Sequence, residues 1–107
     1  MDFNEYQALA RRTQNEEMTA QQMESHALHG LCSEVGEIHG PYQKFYPGHV
    51  LDYNKVIDEM GDLLWFLAEL ADCIGTTLEE VAMRNIAKLK KRYPNGFDAE
   101  HSVHRTI

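Results

Sequence analysis

A chain of 107 residues holds one domain and has no room for two. Hydrophobic residues make up 43% and charged residues 25%, a balance that excludes a disordered segment. Acidic side chains outnumber basic ones 17 to 10, for a net charge of −7, and no basic block offsets them. That excludes a binder of duplex nucleic acid or of anionic membrane, which needs Lys and Arg contacts to phosphate. Leu63 to Ala68 is the longest uninterrupted apolar run, too short to span a bilayer. The opening Met-Asp-Phe-Asn-Glu lacks the basic and apolar regions of a secretory leader, so a cytoplasmic location is expected. Cys32 and Cys73 stand in apolar helical contexts far from CxxC spacing and are expected to be reduced, buried and inert.

Seven glycines, three prolines and no alternating β-branched run point to helices throughout. Asp2 with Glu5 caps a first helix carrying Phe3, Tyr6, Leu9 and Ala10. Thr19 with Gln22 opens a second, whose apolar stripe is Leu28, Leu31, Cys32, Val35 and Ile38. Asp52 opens a third, from Val56 to Ile74, with Gly75 as its stop. Thr77 with Glu80 opens a fourth through Leu78, Val81, Ala82, Ile86 and Leu89, closed by Pro94 and Gly96. Residues 95–107 read as an irregular tail. The expected fold is all-α: a four-helix bundle-like domain over residues 1–107. The third helix is apolar nearly all round between Leu63 and Leu70, with Trp65 and Phe66 outside the usual stripe. Completion of the bundle by homo-oligomerisation, as a homodimer or homotetramer, is therefore expected.

The chemistry lies in an internal echo. Glu34-Val35-Gly36-Glu37 in the second helix is answered by Glu59-Met60-Gly61-Asp62 in the third. Acids three apart lie only about 60° apart around a helix, so each pair projects to one side. A glycine inside a helix costs roughly 1 kcal/mol against alanine. Gly36 and Gly61 are accordingly expected to sit behind the acids and admit a neighbouring helix. If the second helix stopped at Gly40, the two pairs would miss in level by about 6 Å. If it runs on through Pro41 to Phe45, they match, so the longer helix is expected.

Four facing carboxylates repel strongly in a low dielectric, and hard divalent cations neutralise them. Oxygen-only ligands favour Mg²⁺, with Mn²⁺ possible, over Zn²⁺. A ferritin-like di-iron site is excluded, since no Glu in the chain is followed three residues later by His. A solvated acidic face is the simpler alternative, and the density of Leu31, Val35, Ile38, Met60, Leu63 and Leu64 around the acids weighs against it. His26 and His29 precede the first acid pair, but no Cys or further His completes a zinc set. A solvated pair or a pocket lining is the reading for them.

These acid motifs, together with Gly61-Asp62-Leu63-Leu64-Trp65-Phe66-Leu67 and the run from Asn85 to Phe97 through Arg92-Tyr93-Pro94, resemble the MazG-like nucleotide pyrophosphohydrolases. The likeness covers about residues 25–98. One departure is plain: Ser33 stands where that family's pattern begins with Glu. The resemblance implies Mg²⁺-dependent hydrolysis of a nucleoside triphosphate, often a deoxy one, to the monophosphate and pyrophosphate. It implies Glu34, Glu37, Glu59 and Asp62 as metal ligands, with Glu34 also the proton acceptor for water. Asn85, Lys88 and Arg92, spaced along one side of the fourth helix, then suit the phosphates, and Phe66, one turn beyond Asp62, suits the wall of a base pocket. Lys90 points elsewhere and suits the helix dipole. Trp65 suits the core or a subunit seam. The rival readings are a helical interaction module that lost the chemistry and a metal-binding bundle without turnover.

Overall fold

The computed structural model describes residues 1–105. Five helices follow in order: α1 (Phe3–Arg11), α2 (Ala20–Phe45), α3 (Tyr53–Cys73), α4 (Leu78–Arg92) and α5 (Ala99–Val103). No strand forms among the described residues. The four expected helices are present. The short α5 is the correction, lying where only an irregular tail was expected; Asp98 caps it by accepting from the His101 N–H at 2.8 Å. The last two positions of that tail, 106 and 107, fall outside the described residues.

Each start is set by a side chain satisfying an orphan backbone donor. Asp2 accepts from the Glu5 N–H at 2.8 Å. Thr19 and Gln22 form a reciprocal capping box, at 3.1 and 2.9 Å. Asp52 accepts from Asn54, and Thr77 from Glu80, both at 3.0 Å. Gly75 ends α3 as expected. Its φ of +75° suits a residue without Cβ, and the turn lets the Thr76 N–H donate to the Ala71 carbonyl at 2.9 Å. Helix α2 runs on past Gly40 with a buried Pro41 inside it, so the longer version is the observed one.

The long pair α2 and α3 forms the body of the fold, and α1 lies across α3 and the start of α4. A small core gathers Ala10, Ala68 and Leu78, with Tyr6, Leu64 and Trp65 packed on it. A polar hub ties the same elements. Asp72 accepts from Gln7 Nε2, from Arg11 and from Gln14, each at 2.8 Å. Gln7, itself buried, takes the Leu78 N–H on its Oε1 at 2.8 Å. One amide therefore bridges α1, α3 and the first turn of α4.

Beyond Leu78, α4 leaves the body. Val81, Met83, Ile86 and Leu89 are all exposed, as are Ile57, Met60 and Leu67 of α3. The radius of gyration, 17.2 Å, compares with about 13 Å for a compact chain of this length. The accessible surface is 8140 Å², where a compact monomer of 12.3 kDa has about 6,100 Å². One chain alone leaves its bundle open.

Close approach between α2 and α3 occurs at a different glycine from those expected. A Cβ on Gly36 or Gly61 would meet nothing within 4 Å, whereas one on Gly30 would fall 2.2 Å from the Phe66 ring. The cysteines also differ from expectation: Cys32 is exposed and Cys73 half-buried, both as free thiols. Burial, then the Glu69, Glu24 and Asp72 charges, pushes the Cys73 thiol up.

Candidate active site

Helix α2 supplies Glu34 and α3 supplies Glu59 and Asp62; one carboxylate oxygen from each lies within 4.8 Å of the others. The match in level follows from the unbroken course of α2 through Pro41. Glu37 lies outside this trio, one turn further along α2, beside Gly40, Pro41, Lys44 and Lys55 in a separate groove. It is still near enough for its charge to act on Glu34.

Glu34 is the strained member. Its Oε2 is buried and has no hydrogen-bond partner among the described residues. Burial pushes its carboxyl above the ordinary carboxylate range, and a hydrogen bond with Glu59 and the charges of Asp62, Glu59 and Glu37 push it further. On the other side, Lys55 reaches Glu59 at 3.7 Å, an i,i+4 pair along α3. The Tyr6 phenol is raised by burial and then by Asp62, which brings α1 to the edge of the cluster. An orphaned buried oxygen among repelling carboxylates, with oxygen donors only, suits a hard divalent cation.

Two clefts open beside Glu34. One, of about 390 Å³, is walled by Thr13, Asp62, Trp65 and Phe66. The other, of about 520 Å³, is walled by Gln22, His26, Gly30, Ser33 and Phe66. Phe66 thus stands between them, its ring 5.1 Å from Trp65 and 5.5 Å from His26. Trp65 is fixed by its indole N–H, which donates to Thr13 Oγ1 at 2.7 Å. Both histidines line the larger cleft, the pocket-lining option for them.

The expected phosphate ligands stand elsewhere. Asn85 and Lys88 are exposed and Arg92 is half-buried, on a helix whose only buried residue is Leu78. No α4 residue walls either cleft. The periodicity does put Lys88 and Arg92 on one side of α4, and neither lines the clefts beside Glu34.

Glu69 escaped sequence reasoning. It is fully buried, and its Oε1 lies 2.6 Å from His26 Nδ1. The signal was available: it is the one acid between Leu63 and Ala71, seven residues after Asp62 and so on the same side of α3.

The chain is all-helical, and two of its helices bring three carboxylates together beside aromatic-walled clefts. The MazG nucleotide pyrophosphohydrolase domain matches residues 21–97, and the chain belongs to that family. It is also 32% identical over 77 residues to the Gene 37 protein of Mycobacterium phage L5, covering 67% of this chain and 68% of that one. No solved structure matches it. No helix is long and apolar enough to cross a membrane, among the described residues.

Proposed function

We propose that the chain hydrolyses a nucleoside triphosphate to the monophosphate and pyrophosphate, with Mg²⁺, or Mn²⁺ in its place, held by Glu34, Glu59 and Asp62 and flanked by Glu37. The observation that carries this reading is the unpartnered buried Oε2 of Glu34 inside a three-carboxylate cluster, in a chain of this family. When bound, divalent cations would neutralise the cluster, take up phosphate oxygens and acidify a water. Glu34 would accept that water's proton as its oxygen bonds to the α-phosphorus. The bond from that phosphorus to the bridging oxygen breaks, and pyrophosphate leaves with the electron pair. Phe66 would stack on the base and hold the ring away from the acids.

The active form in this reading is a homodimer, or a homotetramer built from it. About 2,000 Å² of surface beyond a compact monomer's, much of it on α3 and α4, is what a stable subunit interface covers. Asn85, Lys88 and Arg92 would then serve phosphates across that interface, since α4 leaves its own chain's clefts unwalled.

A panel of ribo- and deoxynucleoside triphosphates with Mg²⁺, scored for pyrophosphate separately from orthophosphate, tests the reaction. Orthophosphate as the sole product, or no product from any nucleotide, refutes it. Sedimentation at high micromolar concentration tests the assembly, and a species of 12.3 kDa refutes that part.

A further inference from the structure

We propose that Thr13 reads the sugar of the nucleotide, accepting a hydrogen bond from its 3′-hydroxyl in the smaller of the two clefts beside Glu34. The inference rests on the nucleotide reading above. It adds a specificity residue from the connection between α1 and α2, outside the matched residues 21–97.

The role of Thr13 is decided by its partners. Its hydroxyl donates to the Ala10 carbonyl at 2.7 Å and accepts from the Trp65 indole N–H at 2.7 Å. A carbonyl only accepts and an indole N–H only donates, so neither bond can be reversed. The single hydrogen of the hydroxyl is spent and one lone pair is left. Thr13 therefore meets a ligand as an acceptor. It is also held in place: its backbone N–H donates to the Ala10 carbonyl at 3.0 Å, and Arg11 and Gln14 on either side of it each bind Asp72 at 2.8 Å.

The cleft says what that acceptor meets. Thr13, Glu34, Asp62, Trp65 and Phe66 wall a space of about 390 Å³. Two of these belong to the acid cluster, whereas the larger cleft shares only Glu34 with it. With the α-phosphate at the acids, the sugar is the first group beyond it and the base the second. The sugar accordingly belongs in the cleft closer to the cluster, and the base beyond Phe66, which walls both. The indole N–H is spent on Thr13, so Trp65 and Phe66 offer ring surface for the apolar face of the sugar. A hydroxyl is what the remaining lone pair of Thr13 requires. The 3′-hydroxyl is common to ribo- and deoxynucleotides, so the contact serves either.

The test is steady-state kinetics with dTTP and dCTP, each beside its 3′-deoxy counterpart, for the wild type, Thr13→Val and Thr13→Ser. Calorimetric titration of the Mg²⁺ complexes of the α,β-imido analogues gives the same comparison in binding alone. In the wild type, loss of the 3′-hydroxyl should weaken both nucleotides by at least about fivefold, through KM with kcat nearly unchanged. Thr13→Val keeps the shape without the lone pair, so the ratio should fall below about twofold, and Thr13→Ser should restore it. A merely structural Thr13, needed only to hold Trp65, would weaken every nucleotide alike in Thr13→Val and leave the ratio intact, which overturns the inference. Should Thr13→Val fail to fold, Thr13→Ala carries the same test. A preference for cytosine over thymine that Thr13→Val abolishes, with no effect of the 3′-hydroxyl, puts a base amine at Thr13 and overturns it too. No sugar preference in an active wild type overturns the inference alone. Nucleotides neither bound nor hydrolysed overturn the parent reading with it.

Discussion

Replacing Gly30 by alanine sets two well-known effects against each other at one position. Helix propensity favours alanine by about 1 kcal/mol. The added Cβ, however, would lie 2.2, 2.3 and 2.5 Å from three carbons of the Phe66 ring. Ordinary contact requires the ring to retreat by roughly 1 Å, and a well-packed site resists such insertion by about 1–3 kcal/mol. Retreat is restricted, because His26 and Trp65 pack on the ring at 5.5 and 5.1 Å. The clash wins, and Gly30→Ala should destabilise the protein by about 1 kcal/mol, lowering Tm by about 4–8 °C. Gly36→Ala and Gly61→Ala are the controls: with nothing within 4 Å of either Cβ, propensity acts alone and Tm should rise. Thermal unfolding followed by circular dichroism, in metal-free buffer, measures all three. A double-mutant cycle with Phe66→Leu isolates the contact, since a smaller side chain at 66 should absorb most of the Gly30→Ala penalty. If Gly30→Ala raises Tm as much as Gly36→Ala does, the close approach of α2 and α3 at this point is wrong.

Three further outcomes follow from the geometry. Although burial pushes its carboxyl up, the Arg11, Gln7 and Gln14 hydrogen bonds hold Asp72 below the ordinary aspartate value of 3.8, so the stability it contributes is present above that value and lost as pH falls through its folded-state pKa. Asp72→Asn should flatten the acid limb of a denaturation-versus-pH curve and cost about 1–3 kcal/mol at neutral pH; an unaltered limb would exclude the hub. Glu34→Gln removes one charge from the repelling cluster, so metal-free Tm should rise while calorimetric Mg²⁺ or Mn²⁺ affinity drops, and unchanged affinity would take Glu34 out of the ligand set. Arg92→Lys keeps the charge but loses the bidentate fork, so kcat/KM should fall by about tenfold or more while Lys90→Ala stays within about twofold; equal small losses would reduce α4 to scaffold.

The parts of the fold that depend on local chemistry were legible in the chain. Thr19 with Gln22, Thr77 with Glu80 and the Gly75 stop each act within four residues, and each marks a boundary that forms. The longer course of α2 through Pro41 is also observed, but the acid it brings together with Glu59 and Asp62 is Glu34, while Glu37, which the level argument set opposite Glu59, stands one turn away. The assignment of the packing glycine did not hold. Gly36 and Gly61 were conspicuous beside the acids, but which glycine meets a neighbour depends on the rotation of both helices, and that rotation is set by Phe66 entering at Gly30. Glu69 was legible in principle. A lone acid in an apolar run carries a desolvation cost that demands a partner, and His26 is one of few residues in the chain able to supply it.

Helix α4 shows where a single sequence stops being sufficient. Its amphipathic pattern says that Val81, Ile86 and Leu89 must be covered, and the i,i+4 spacing says that Lys88 and Arg92 act together. Neither statement says which surface does the covering. Among the described residues none does, because the Gln7 and Asp72 hub fixes only the first turn of α4 and directs the rest outward. The polar tie and the exposed stripe are two ends of one arrangement. A helix anchored at its start by buried hydrogen bonds keeps a defined direction, and a defined direction is what lets an apolar face meet a second copy in one register. If Lys88 and Arg92 serve phosphate beyond that face, as proposed, turnover is conditional on assembly. Dilution should then lower activity per chain along the same concentration curve as it lowers the sedimentation coefficient. Full activity in a dilute monomer would return Lys88 and Arg92 to the solvated basic end of an ordinary helix.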